Sequence, residues 1–455
     1  MHVATEDAGL SRRNFTLGVV NGGLFILMAS LLDTDTVLTS FAWQLTGGKA
    51  LWVGLLVSVI NSGWFWPSLF LSPYFATRSR LMPWYHLTVG TRLLGLFAMA
   101  IVAWHIGHLP LRFGFVLFTL MYLIYTASGG ISLIPFLSVV SDTIPAHWRG
   151  RFFGWRYLTG GLAAFGAGFG VKWLLGDHSP YPFPTGYALL FTIAAALAVP
   201  SLVVFCFAEE RPQQAQRRRV PMSIELRRGF RLLQRDPNFR RLIVTRSLAT
   251  LMLGLALPFI VPYALSSLGA QVGAVGMFMS AKVLTYAISN VFWSRVSDRR
   301  GNRRLLLLSA CLGVVAVWML LVVHLLPGTH LLYLGALGIS WRLAFLCLIF
   351  AAFGFSNAGQ EIGYTNFLLE LIPERRRPTY LGVYYLIWAP LCWVPFVGAL
   401  LIGSGNRFMW GFALAAAVSL VMLRYTFRLK EVRDLTGTAT QTSAWRRTRA
   451  WTNGR

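Results

Sequence analysis

Asp33, Asp35, Lys282 and Glu361 each stand inside a long apolar run. An ionised side chain at the centre of a membrane-spanning helix costs at least ~2.5 to 3.5 kcal/mol. Residues of this kind are kept for ion pairing, for proton exchange or for holding a polar cargo. Glu361 belongs to the stretch Ser356-Asn357-Ala358-Gly359-Gln360-Glu361-Ile362-Gly363-Tyr364, in which Asn357, Glu361 and Tyr364 share one helix face and Gln360 lies beside them. Lys282, Thr285 and Ser289 form a similar polar stripe. If the two stripes face each other, Lys282 and Glu361 can pair, and a carboxylate released from that pair could exchange a proton. A static ion pair joining two helices is the other reading. In one continuous helix Asp33 and Asp35 would point about 160° apart, so one could face a central cavity and the other could not. Asp35 shares a stripe with Asn21 and Met28, and the choice between the two aspartates stays open. Asn61 is a further candidate for the same polar pathway, with an inter-helix hydrogen bond as the simpler reading.

These residues need long helices to position them, and composition supplies the setting. Hydrophobic residues make up 56% of the 455-residue chain and charged ones 13%, about half the charged share of an ordinary soluble domain. Apolar runs fall at about 15–40, 51–73, 84–106, 113–141, 152–175 and 186–207. After a polar break come 242–265, 273–294, 305–326, 342–371, 379–402 and 408–427. Twelve runs of this length are expected to span a bilayer. The first is read as a retained helix and not as a cleaved leader, because 1–13 is short and polar. The expected organisation is a six-helix half over 1–207, a basic cytosolic linker over 208–241 with a surface helix from Ser223 to Gln234, a second half over 242–428, and a basic disordered tail over 429–455. A repeated phrase supports duplication. Ile144-Pro145-x-x-x-Arg149-x-x-Phe152-x-Gly154 recurs as Ile372-Pro373-x-x-x-Arg377-x-x-Tyr380-x-Gly382, displaced by 228 positions.

The formal net charge is +25, which raises the question of nucleic acid. Its distribution answers that question. With alternate loops assigned to opposite sides, only Lys49, Arg112, Arg342 and Arg407 fall opposite the termini. Arg92, Arg156, Lys172, Arg246 and Lys282 lie inside runs, and every other lysine and arginine shares the side of the termini. This is the positive-inside pattern of a multi-pass protein of the plasma (inner) membrane with both termini cytosolic, and it argues against a nucleic-acid partner. The basic loops and tail could touch anionic lipid headgroups. Arg92 and Arg156 are expected to snorkel toward the cytosolic surface. Cys206, Cys311, Cys347 and Cys392 are dispersed over four runs, and His105 and His108 have no acidic neighbour, so no metal is expected. Asn14-Phe15-Thr16 matches a glycosylation pattern on the wrong side of the membrane and reads as coincidence.

The loop after the eighth run reads Ser294-Arg295-Val296-Ser297-Asp298-Arg299-Arg300-Gly301-Asn302-Arg303-Arg304. It resembles the loop motif G-x-x-x-D-R-x-G-x-R-R of the major facilitator superfamily, with Ser294 in place of the first glycine. The resemblance extends to the run count, the linker and the repeated phrase. It implies an all-α integral membrane fold of twelve helices in two pseudo-symmetric six-helix halves. Spans one, four, seven and ten would line a central cavity, flanked by two, five, eight and eleven. On Asp298, Arg299, Gly301, Arg303 and Arg304 the resemblance places a latch that closes the cytosolic side, with Glu370 and the start of span five as expected partners. The sister loop departs from the pattern, since Phe70-x-x-x-Tyr74 replaces its glycine and aspartate, leaving Arg78 and Arg80 to pair with Asp142. The two repeated phrases, carrying Pro145 with Arg149 and Pro373 with Arg377, belong to the same cytosolic gate.

Similarity to drug exporters of the superfamily is loose. Tyr125 stands where such proteins carry an arginine four residues before Gly129, and span five has glycines without their proline. Leu32-Asp33 resembles their span-one motif. The resemblance implies a secondary active transporter that moves a small molecule by alternating access. Proton coupling through Glu361 or a span-one aspartate is expected, with a preference for efflux of amphipathic compounds. Proton-coupled uptake of a metabolite, or a receptor or assembly factor that keeps the fold without transporting, are the alternatives. No nucleotide-binding loop is present, and neither enzymatic activity nor a cofactor is expected. The protein is expected to act as a monomer.

Overall fold

In hydrocarbon every backbone N–H and C=O must be paired within its own segment, so long apolar runs become helices. The computed structural model describes residues 2–75, 77–210, 231, 233–334, 337–372 and 377–431. The first half comprises α1 (His2–Leu31), α2 (Val37–Leu45), α3 (Ala50–Phe75), α4 (Met82–His105), α5 (Leu111–Thr143), α6 (Ala146–Leu175) and α7 (Thr185–Cys206). The second comprises α8 (Pro237–Ser267), α9 (Ala274–Arg300), α10 (Asn302–Val322), α11 (Trp341–Leu371), α12 (Arg377–Trp388), α13 (Val394–Ile402) and α14 (Phe408–Phe427). Among the described residues eleven helices are long and apolar enough to cross a membrane, and Leu386–Ile402 is a shorter apolar segment. That twelfth segment is interrupted by a 3-10 turn at Ala389–Trp393. Large apolar side chains such as Leu94, Trp173 and Trp410 are exposed, as expected of surfaces that face lipid.

Packing repeats between the halves. In the first, α1 packs on α6 and α7, and α4 packs on α5 and α7. In the second, α8 packs on α13 and α14, and α10 packs on α11 and α14. A brace at the side of the termini repeats too. Asn14, in the first half of α1, donates to the carbonyl of Glu209 at 2.9 Å and accepts from its N–H at 3.1 Å. Asn238 at the start of α8 makes the same pair with Lys430, at 3.0 and 3.1 Å. The next residue in each copy is a glutamate that caps a helix start. Glu210 accepts from the N–H groups of Leu81 and Met82 at α4, and Glu431 accepts from that of Arg303 at α10. Free N–H groups at a helix start attract a carboxylate through hydrogen bonds and the helix dipole. Asn14 is therefore a buried structural residue, and its match to a glycosylation pattern has this separate physical cause.

Gly301 joins α9 to α10 at φ +82°, and a Cβ there would lie 2.5 Å from the Glu431 carboxylate. Only glycine meets both conditions. Gly301→Ala should lower the melting temperature of the detergent-solubilised protein by several degrees, as about 1–2 kcal/mol of backbone strain implies; an unchanged melt would mean that the turn relaxes freely.

Two features depart from the sequence reading. The loop opposite the termini between α10 and α11 carries an antiparallel hairpin, β1 (His330–Leu334) with β2 (Leu337–Ser340), in which His330 faces Ser340. The first span is also not one helix. Its α-helix ends at Leu31, turns through Leu32 to Thr36 and resumes at Val37. Asp33-Thr34-Asp35-Thr36 is a run of short polar side chains that compete with the backbone for hydrogen bonds. Here the Thr36 hydroxyl donates to the Asp33 carboxylate at 2.7 Å, and the Tyr122 hydroxyl donates to the Leu32 carbonyl at 3.2 Å. A helix break is tolerated at membrane depth where protein groups satisfy it in this way.

Candidate functional site

The break in the first span brings both aspartates to one lysine. Lys282 of α9 donates to the two oxygens of Asp33 at 2.8 and 3.1 Å and to Asp35 at 2.5 Å. The three side chains are sheltered, with 13%, 17% and 20% exposure for Lys282, Asp33 and Asp35. Two expectations change here. The 160° separation of Asp33 and Asp35 assumed a continuous helix and fails because the helix is broken. Lys282 does not pair with Glu361, which instead accepts a hydrogen bond from Tyr286 at 2.9 Å. The cluster joins the halves, since Asp33 and Asp35 belong to the first and Lys282 to the second.

A cavity of about 300 Å³ lies beside this cluster. Its walls are Thr34 and Asp35 at the break, Val57, Asn61 and Phe65 of α3, Arg246, Thr250, Leu253, Gly254, Leu257 and Pro258 of α8, Asn357, Gln360 and Glu361 of α11, and Trp388, Leu391, Cys392 and Pro395 around the twelfth segment. Of the residues singled out from sequence, Asp35, Asn61, Asn357, Gln360 and Glu361 line it. Asp33 and Lys282 stand behind Asp35, and Tyr364 lies behind Arg246. Asn21 is elsewhere. It donates to the Ser201 carbonyl at 2.7 Å and accepts from Arg156 at 3.0 Å, holding α1 to α6 and α7.

Arg246 and Trp388 are the residues that sequence reasoning gave no role. The guanidinium of Arg246 lies 4.5 Å from the Trp388 ring centroid and 5.0 Å from that of Tyr364, and Trp388 is held by a 2.8 Å bond from its indole N–H to Thr250. An arginine inside an apolar run with no acidic residue one turn away was the available signal. Arg92 and Arg156 also stay inside the protein and do not snorkel. Arg92 is buried, donates to Ser132 and Tyr125 at 3.3 Å and lies over the rings of Phe25, Trp64 and Tyr125. Arg156 reaches across to the Gly18 carbonyl and Asn21. Aromatic faces and carbonyls replace the headgroups as partners.

Opposite the termini the halves meet closely. A Cβ on Gly54 would lie 2.5 Å from the Pro395 carbonyl oxygen, and one on Gly168 would lie 2.5 Å from that of Gly276. The Ser58 hydroxyl accepts from the N–H of Phe396 at 2.9 Å, the Asn406 side chain donates to the Gly48 carbonyl at 3.0 Å, and Ser280 donates to the Phe165 carbonyl at 2.8 Å. These contacts roof the cavity on the side away from the termini.

Of the expected gate residues, Arg149 and Arg303, with Arg78 of the sister loop, bond within their own halves. Pro145 immediately precedes α6, and Arg149, one turn in, folds back to donate to the carbonyls of Ile144 and Ser141 at 3.0 and 2.5 Å. It thereby caps the end of α5. Asp142 accepts from the Ser141 hydroxyl at 3.3 Å, and Arg78 bonds to the Tyr74 hydroxyl instead of Asp142. Arg303 donates to the Phe427 carbonyl at 3.1 Å while its N–H meets Glu431, so the span-eight loop is tied to α14 of its own half. Asp298 lies in the last turn of α9 with Arg299, and both are exposed, as is Arg304. Glu370 lies at the end of α11. Pro373, the Arg377 side chain, most of the expected surface helix and the tail from 432 onward lie outside the described residues.

Two discontinuous spans, a charge cluster shared between halves and a central cavity define a membrane protein built like a transporter. The Major Facilitator Superfamily model matches residues 173–389 and 242–453, and the chain belongs to that family. The fold is similar to that of a bacterial homologue of the iron transporter ferroportin in an inward-facing state, with a TM-score of 0.67 and 14% identity over 92% of this chain and 98% of that one. It is also similar to the D-xylose-proton symporter, at 0.63 and 14% over 92% and 98%. For a point mutant of the nucleoside transporter NupG the values are 0.64 and 13% over 92% and 100%. Among curated protein sequences none matches significantly. The family and these neighbours point to a multi-pass membrane transporter of small molecules rather than an enzyme.

Proposed function

We propose that the protein is a proton-coupled secondary transporter that exchanges protons for a small amphipathic molecule by alternating access. The carrying observation is the cluster of Lys282 with Asp33 and Asp35, which ties one half to the other at the edge of the cavity. One cation shared by two carboxylates leaves a net negative charge, so the cluster has room for one proton. Protonation of Asp35 removes its attraction to Lys282 and loosens the link that must break when the halves rock. Asp35 also lines the cavity, so its protonation changes the charge of the wall that a cargo meets, which favours antiport and hence export. The groups around it are Lys282 from α9, Asp33 and Thr36 from the broken span and Tyr122 from α5, with Glu361 further along the cavity wall. Phe65, Leu253, Leu257 and Trp388 supply apolar surface for the cargo. The excess of arginine and lysine on the side of the termini supports cytosolic termini at a plasma membrane, and in that orientation the roofed state described above faces inward. Asp142, Arg149, Asp298, Arg299, Arg303, Arg304 and Glu370 lie at that cytosolic surface, where a gate would act.

In proteoliposomes holding a pH dye, Asp35→Asn should reduce cargo-driven proton movement at least tenfold while exchange of labelled cargo persists. Undiminished proton movement in the folded variant would sink the coupling role. A folded wild-type protein that moves neither protons nor any of a panel of amphipathic compounds would return the non-transporting reading.

A further inference from the structure

Among the described residues, two opposite charges on the cavity wall lack a counter-charge. Arg246 lies over the rings of Trp388 and Tyr364, its buried Nε meets no acceptor, and no carboxylate of the described residues pairs with it. Glu361 accepts one hydrogen bond, from Tyr286, and no lysine or arginine of the described residues pairs with it. Gln360, next to Glu361 in α11 and also on the cavity wall, is 1% exposed, and its amide donates to Ser356 at 3.1 Å while its Oε1 has no donor. Tyr364 follows Glu361 by one turn of α11 and Arg246 rests against Tyr364. Both charged residues line one cavity, and Arg246 meets α11 about one turn from Glu361. The aromatic rings brace Arg246 and the Tyr286 hydroxyl braces Glu361, and both residues line the cavity.

We infer that the cargo is a small zwitterion, its carboxylate held by Arg246 and its ammonium by Glu361, with the Gln360 oxygen as a second acceptor for the ammonium. This rests on the central cavity being the transport site. A planar guanidinium braced on aromatic faces suits a carboxylate, which it can engage through two N–H groups. A monoanion would leave Glu361 unmatched, and a simple amine would leave Arg246 unmatched. Discrimination between these three chemistries is the property the wall is built to give.

The test uses the purified full chain in detergent and reads binding by calorimetry and thermal shift. The probes are L-phenylalanine, L-leucine and L-leucyl-L-phenylalanine, each beside its decarboxylated amine and its deaminated acid. At least one zwitterion should bind tenfold or more tightly than either of its singly charged analogues. Arg246→Gln should erase the advantage over the amine and keep that over the acid, Glu361→Gln should do the reverse, and Arg246→Lys should retain a weaker form of both. The inference is overturned if no zwitterion binds, if an acid or amine equals its zwitterion, or if both glutamine variants discriminate as the wild type does. Selective binding without flux in proteoliposomes would uphold the zwitterion site and overturn the transport reading. Flux of compounds without this selectivity would uphold transport and overturn the zwitterion.

Discussion

Lys282→Met should destabilise the protein by about 3–5 kcal/mol, the range seen when one member of a buried ion pair is removed. The size follows from what remains. Asp33 and Asp35 would face each other at a helix break, with the Thr36 hydroxyl still donating to Asp33. Two sheltered carboxylates without a cation must then take up a proton or draw in water. The loss should shrink at acidic pH, where protonation relieves the repulsion. Adding Asp33→Asn and Asp35→Asn to Lys282→Met should restore most of the stability, because a neutral site has no charge left to strand. Denaturant unfolding of the single and triple variants in one detergent measures both effects. A single variant as stable as the wild type would show that water already screens the cluster.

Gly168→Val should move the conformational balance away from the roofed state. Gly168 and Gly276 let α6 and α9 approach backbone to backbone where Ser280 bonds to the Phe165 carbonyl. A branched side chain placed there meets Ser280 and the Gly276 carbonyl in rigid surroundings. Overpacking of this kind costs about 1–3 kcal/mol, which corresponds to a shift of roughly 5- to 150-fold between two states. Separating the halves on that face relieves the clash. A cysteine in place of the buried Ser58, at the other seam of the roof, should therefore react several-fold faster with an impermeant maleimide added opposite the termini. Unchanged labelling would mean that the seam yields locally without the halves moving.

Span number, the duplication and the loop at Asp298 were legible because each is written in residue type along the chain. Hydrophobic length marks a bilayer crossing, and Gly301 marks a turn whatever surrounds it. The site was legible in its members more than in its pairings. Asp35, Asn61, Asn357, Gln360 and Glu361 reach the cavity as their polarity suggested, while Lys282 has partners other than the one its stripe suggested. Helical periodicity assumes an unbroken helix, and Asp33-Thr34-Asp35-Thr36 breaks it by local competition that a periodic reading does not weigh. Arg246 was not legible because its partners are aromatic rings. Charge pairs can be sought by matching signs along a sequence, whereas Trp388 looks like any other tryptophan of a membrane span. The same limit explains Arg149, which binds main-chain carbonyls and so has no partner that residue type could reveal.

The asparagine and glutamate braces bear on the order in which the chain can assemble. In each half the first helix is pinned to residues that follow the last one, Asn14 to Glu209 and Asn238 to Lys430. Every contact of the first brace is available once Glu210 has been made, with the whole second half still to come. None of the second can form before α14 is complete, so α8 and α10 lack these ties until then. Domains form as units from the N-terminal side during synthesis, and a growing chain can therefore hold one closed half while the other stays unfastened until its last helix arrives.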